Sequence, residues 1–259
     1  MFCNGIAYLL WLNCTILTTK RYFYGMKTVV VTGASKGIGA AIAEKIASEG
    51  FALALCARNK KDLEKFARYL AQQYGIDVLA MPCDMTKTKD LENFAQAIHN
   101  KWQSIDVLVN NAGIFIPGKI SEEEEGAFET QLNLNLVAPY HFTRRVLPLV
   151  MKKKHSHIFN MCSTASITPY INGGSYCISK YALYGMTKVL REEMKDKHIK
   201  VTAVLPGATF TASWEGTDLP NERFIPAKDI ADAIWGAYNT SPSTVIEDLL
   251  IRPQLGDIV

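Results

Sequence analysis

Hydrophobic and polar positions along the 259-residue chain fall into two alternating kinds of stretch. Residues 27–32, 51–57, 77–83, 105–109, 199–205 and 245–251 are short apolar runs of strand length, closed by turn residues. Residues 51–57 are almost wholly apolar, the signature of a parallel strand buried on both faces. Between the early runs lie helical patterns: one from a glycine turn through Glu49, with Gly50 as its stop signal, then 62–74 and 89–102. No composition break, internal repeat or linker interrupts this alternation. It predicts one α/β domain, a doubly wound parallel sheet of about seven strands with helices on both faces, over residues 26–259.

The first 25 residues stand apart. Residues 6–17 are apolar but for Asn13, too short to cross a bilayer, which takes about 20 residues. No Lys or Arg precedes Lys20, and no small-x-small cleavage site follows, so the stretch does not read as a signal peptide. Met26 then opens the first strand. Residues 1–25 are read as a disordered or non-native extension, with weak membrane association as the alternative.

Composition adds mainly exclusions. With 48% hydrophobic and 20% charged residues the chain is ordinary for a globular protein. A net charge of +3 is too mild for a nucleic-acid surface and does not oppose an anionic cofactor. The six cysteines (Cys3, Cys14, Cys56, Cys83, Cys162, Cys177) form no C-x-x-C pair, which favours a reducing, cytoplasmic setting. His155 and His157 have no third ligand in view, so no metal site is expected. Glu122 to Glu125 read as the solvated first turn of a helix.

Chemistry begins at Thr32-Gly33-Ala34-Ser35-Lys36-Gly37-Ile38-Gly39. A strand, a glycine turn and a helix start make a phosphate-binding, Rossmann-like opening. The spacing is G-x-x-x-G-x-G rather than G-x-G-x-x-G. A carboxylate after the second strand would select NAD, whereas an arginine accommodates the 2′-phosphate of NADP. Here Ala57 is followed by Arg58, no acid occurs until Asp62, and Lys36 lies within the turn; the pair indicates NADP(H). Asp84, after the third strand, either contacts the adenine or ends a turn.

Tyr176 and Lys180 stand four residues apart, one turn along a single helix face. An ammonium beside a phenol favours the phenolate, so Lys180 is expected to lower the Tyr176 pKa from about 10. Such a tyrosine can exchange a proton with a carbonyl oxygen. After Asn135, Pro139 lacks the N–H that residue i+4 normally donates, so the helix is expected to kink there and free the Asn135 carbonyl.

Thr32-Gly33-x3-Gly37-x-Gly39, Asn110-Asn111-Ala112-Gly113, Tyr176-x3-Lys180 and Pro206-Gly207 occur in an order and spacing that resemble the short-chain dehydrogenase/reductase family, classical type, over roughly residues 26–252. The resemblance implies an NADP(H)-dependent oxidoreductase acting on a small carbonyl or alcohol. Its serine falls thirteen residues before the tyrosine, on Ser163, with Cys162 in place of a frequent second serine. Of Asn133 and Asn135, the family pattern selects Asn135, whose carbonyl would hold a relay water near Lys180. The resemblance further implies cofactor contacts at Gly33, Ser35, Lys36, Gly37, Ile38, Gly39, Arg58, Asp84, Asn111, Ala112 and Gly113. Others are implied at Tyr176, Lys180, Pro206, Gly207, Thr209 and Thr211. Residues 208–226 would form a short substrate lid, made apolar by Phe210, Trp214 and Phe224, with Ile114, Phe115 and Tyr170 opposite. A homodimer or homotetramer is expected through the helices bearing Asn135 and Tyr176. Rival readings are a 3-oxoacyl thioester reductase, a sepiapterin- or hydroxyacid-type reductase, and a non-catalytic NADP-sensing protein.

Overall fold

The computed structural model describes residues 27–211 and 216–258; the N-terminal 25 residues and Trp214, each given a reading above, lie outside them. In chain order the elements are β1 (Thr28–Thr32), α1 (Gly37–Ser48), β2 (Ala52–Ala57), α2 (Lys60–Tyr74), β3 (Val78–Pro82), α3 (Thr88–Lys101) and β4 (Val107–Asn110). There follow α4 (Ala127–Leu132), a π turn (Asn133–Val137), α5 (Ala138–Val150) and β5 (His157–Met161). The chain continues through α6 (Gly174–Met194), β6 (Lys200–Pro206), α7 (Ala227–Tyr238) and β7 (Asp248–Ile251).

All seven strands are parallel, in the order β3-β2-β1-β4-β5-β6-β7. Successive strand residues face opposite layers, as a period of two requires. Val29, Val31, Leu53, Leu55, Val107 and Val109 pack with α1, α2 and α7. Val30, Ala54, Leu108, Ile158 and Val201 pack with α3, α5 and α6, where Phe94 stacks on Phe142 at 5.5 Å. Because both faces are covered, β1, β2, β4, β5 and β6 are buried throughout. The fold is the expected Rossmann-like doubly wound sheet in one domain.

Two local expectations change form. The interruption expected at Pro139 is a π turn, in which the Ala138 N–H reaches back five residues to the Asn133 carbonyl. The glutamate run is not the first turn of a helix. Glu122 to Glu125 precede α4 in a turn-rich loop, separated from it by Gly126 at φ +86°. Charge pattern alone does not say which helix end a loop will meet, and Glu123 in fact reaches α6.

Candidate active site

Between β1 and β4 the strand order reverses, and open α/β sheets bind ligands in the crevice at the carboxyl ends of such strands. A cleft of about 670 Å³ lies at that edge. Its floor is the glycine turn. Gly33 and Gly37 hold φ of +66° and +59°, in the left-handed region that favours glycine. A Cβ on Gly39 would collide with the Gly33 carbonyl oxygen and Asn111 Nδ2, so α1 starts this close to β1 only with glycine there. Asn111 Nδ2 donates to the carbonyls of Thr32 (2.9 Å) and Gly33 (3.1 Å). Thr32 Oγ1 accepts from the N–H groups of Asn111 and Ala112, each at 3.0 Å. Asn111 thus braces the turn.

The first turn of α1 has no side-chain cap, which leaves its N–H groups suited to an anion. Lys36, Ile38 and Arg58 line this end, while Ser35 is half-buried beside them. Lys36 and Arg58 are exposed and enter no ion pair among the described residues. Asp84 does not line the cleft. Its Oδ1 accepts from the Thr86 N–H and hydroxyl at 3.1 and 2.8 Å, the turn-ending role weighed for it above.

At the other end, Ser163 follows β5 and caps a short 3₁₀ turn (Thr164–Ser166), its Oγ accepting from the Ala165 N–H at 3.1 Å. The same hydroxyl donates to the Pro206 carbonyl at 3.5 Å and lies close enough to the Tyr176 phenol to favour its charged form. Lys180 is 6% exposed and donates from Nζ to the Met161 carbonyl at 2.7 Å, with Nζ 5.8 Å from the Tyr176 ring centre. Gly113 lies between this amine and Asn135: a Cβ there would sit 3.5 Å from Lys180 Nζ and 3.1 Å from Asn135 Oδ1. Asn135 is fully engaged. Its Oδ1 accepts from Ile114 N–H (2.8 Å), and its Nδ2 donates to the Ile114 carbonyl (2.9 Å) and Ser179 Oγ (2.9 Å). Ser179 Oγ donates in turn to the Tyr176 carbonyl at 2.8 Å. Ser163, Tyr176, Lys180 and Asn135 therefore converge.

The electrostatics depart from the expectation for Tyr176. Burial pushes its phenol up to about 12; the Ser163 hydroxyl pulls the other way, and Cys177 and Cys162 add to the rise. Lys180 does not lower it. Burial brings the lysine itself down to about 8, and the Met161 carbonyl holds its ammonium. Spacing puts the two on one face but does not reveal how strongly burial disfavours the charged form of each.

Pro206, Gly207, Thr209 and Thr211 form the opposite wall. Thr211 lies over the glycine turn, its Cγ2 3.3 Å from where a Gly37 Cβ would stand. Phe115 meets the Tyr176 ring edge-on at 4.9 Å and lies 6.4 Å from Tyr170. Phe210 and Phe224 pack on each other at 5.5 Å and are not among the residues that line the cleft. Phe210 N–H donates to the Ile225 carbonyl and Ile225 N–H to the Ala208 carbonyl, which ties residues 208–210 to Ile225.

Sequence reasoning missed two groups. Asp257 and Ile258 reach the cleft from the C-terminal end. Asp257 Oδ2 pairs with Arg252, while its buried Oδ1 has no partner. Beneath the site, Asn110 Nδ2 donates to Thr143 Oγ1 (2.9 Å) and Asn160 Oδ1 (2.8 Å), and Asn160 Nδ2 donates to Thr187 Oγ1 (2.9 Å). Polar residues inside apolar runs were the only available signal for that network.

Known proteins resemble this chain over most of its length. The family profile described as short chain dehydrogenase matches residues 27–220. An uncharacterised oxidoreductase of Staphylococcus epidermidis is 32% identical over 88% of this chain and 97% of its own length. A sepiapterin reductase of Chlorobaculum tepidum is 30% identical over 89% and 97%. An alcohol dehydrogenase from the archaeon Thermococcus sibiricus, complexed with 5-hydroxy-NADP, superposes with a TM-score of 0.82 at 29% identity, covering 88% of this chain and 97% of that one. The chain is therefore a member of the short-chain dehydrogenase family.

Proposed function

We propose that this chain is an NADPH-dependent carbonyl reductase. The observation that carries the reading is that Ser163, Tyr176 and, one turn along, Lys180 line the same cleft as Lys36 and Arg58. The residues fit the dinucleotide. The glycine turn gives the backbone approach, the uncapped start of α1 suits the pyrophosphate, and Lys36 with Arg58 suit a 2′-phosphate. Tyr176, Lys180, Gly113 and Thr211, which line the same cleft, would hold the nicotinamide half. The Thermococcus sibiricus relative, solved with an NADP derivative, supports the same choice.

NADPH, when bound, supplies the hydride. Ser163 then donates a hydrogen bond to the substrate oxygen as charge gathers there. Tyr176 gives that oxygen its proton. A phenol pushed up to about 12 keeps its proton at neutral pH, the form able to act as the acid in carbonyl reduction. Lys180, down at about 8, is the near group able to replace the proton, and a water on the backbone carbonyl of Asn135 would continue the route.

A second reading within the class has its own support. The unpartnered Asp257 Oδ1 in the cleft wall suits a substrate that offers N–H donors, and a sepiapterin reductase is among the relatives. NADPH oxidation against aldehydes, ketones, acyl thioesters and pterins tests both. Turnover of simple carbonyls supports the general reading, and a strong preference for pterins the narrower one. No turnover with any class would contradict both and favour an NADP-sensing role. Ile178, Tyr181 and Val189 leave α6 with an exposed apolar face, in keeping with the homo-oligomer implied by the family; sedimentation as a monomer would contradict it.

A further inference from the structure

Helix α6 carries Tyr176 and Lys180, yet its own sequence provides no cap. Gly173 at the N-cap makes no side-chain hydrogen bond, and no acidic residue occupies the first turn. First-turn N–H groups have no helical partner and fray unless something accepts from them. The acceptor comes from Glu123, 52 residues earlier in the chain. Its Oε1 accepts the Ser175 N–H at 2.7 Å, and its Oε2 accepts the Ser175 hydroxyl.

The loop around Glu123 is shaped to deliver that carboxylate. Glu122 and Glu123 both donate N–H to the Lys119 carbonyl at 2.8 Å, which turns the chain back on itself. Gly118 forms a bridge with Gly173 and donates its N–H to the Asn172 carbonyl at 3.0 Å. A Cβ on Gly118 would stand 2.6 Å from Glu123 Cγ, and one on Gly174 would collide with Glu123 Oε1. Two glycines thus leave the slot that the glutamate fills. The other members of the acidic run do not share it: Glu122 pairs with Lys119, and Glu124 and Glu125 are exposed. Upstream, the same connection places the Phe115 ring against Tyr176. One segment therefore holds the tyrosine both by its ring and by the helix turn on which it sits.

We propose that Glu123 is a positioning residue for Tyr176, fixing the first turn of α6 so that the phenol stays aimed at the substrate oxygen. The inference rests on Tyr176 being the proton donor, and the experiment separates the two claims. Glu123→Ala, Glu123→Gln, Ser175→Ala and Tyr176→Phe are compared in the full chain, with the best carbonyl from the panel above. The readouts are kcat, NADPH affinity by fluorescence titration, and thermal midpoint.

Glu123→Ala is expected to lower kcat by about 10- to 100-fold, the scale on which small misplacements of a reacting group are felt, with NADPH affinity held within about twofold. Ser175→Ala, which keeps the N–H bond, should lose less. Glu123→Gln can still accept from that N–H and donate to the hydroxyl, and should recover most of the turnover. Unchanged kcat in Glu123→Ala, with Tyr176→Phe inactive, overturns the inference alone. So does a fall in kcat matched by equal losses of NADPH affinity and thermal midpoint. Full turnover in Tyr176→Phe overturns the proton-donor reading and this inference with it.

Discussion

The two ends of the cleft are made of different materials. Beside β1 and β2, the surface is backbone bent by glycine, with the exposed cations Lys36 and Arg58 at its rim. Beside β5, Ser163, Lys180, Asn135 and Ser179 are buried and bound to one another or to backbone carbonyls. The first end can tolerate substitution at a cost in selectivity, since an exposed charge is screened and replaceable. The second cannot, because a buried polar group that loses its partner keeps its desolvation penalty. Recognition of the cofactor and delivery of the proton should therefore respond to mutation on different scales.

Ser163→Ala should break the buried end most clearly. Turnover is expected to fall by about 10²- to 10³-fold, as when one donor to a developing oxyanion is removed. NADPH affinity should hold, which fluorescence titration checks. At the exposed end, Arg58→Asp should leave kcat in place and reduce the preference for NADPH over NADH. The expected loss is about 10- to 100-fold, the scale of one hydrogen bond to a charged group. Steady-state KM values for both cofactors measure it, and an unchanged preference removes Arg58 from the 2′-phosphate.

The smallest effect is in the pH profile. Burial disfavours the charged form of Lys180, so its proton is lost as pH rises through about 8, while Tyr176 keeps its own to about 12. The rate of carbonyl reduction should be level below pH 8 and then fall by up to about tenfold per unit. A profile still level at pH 9 would remove Lys180 from proton supply.

Most of the framework could be read from the chain because it is local. Residues 51–57 are apolar throughout because β2 is covered on both faces, and Gly33, Gly37 and Gly39 sit where a turn and a close approach demand them. Family spacing singles out Ser163 and Asn135; Ser163 lines the cleft with Tyr176, and Asn135 is linked to the Tyr176 carbonyl through Ser179. What escaped depends on neighbours distant in sequence. Glu123 reads as part of a charged run until α6 is seen to lack a cap. Asp257 reads as a tail residue until the chain end returns to Gly207, where its Oδ1 lies 3.3 Å from the site of a glycine Cβ. The Tyr176 pKa lies above its expected range because a helical spacing shows the nearby charge and not the surrounding burial.

Tyr176→Phe, assayed for single-turnover NADPH oxidation alongside NADPH binding, bears on the central claim most directly. The account predicts that turnover drops by about 10²- to 10⁴-fold, the usual contribution of a positioned acid, while the cofactor binds as before. Undiminished turnover in that variant would contradict it.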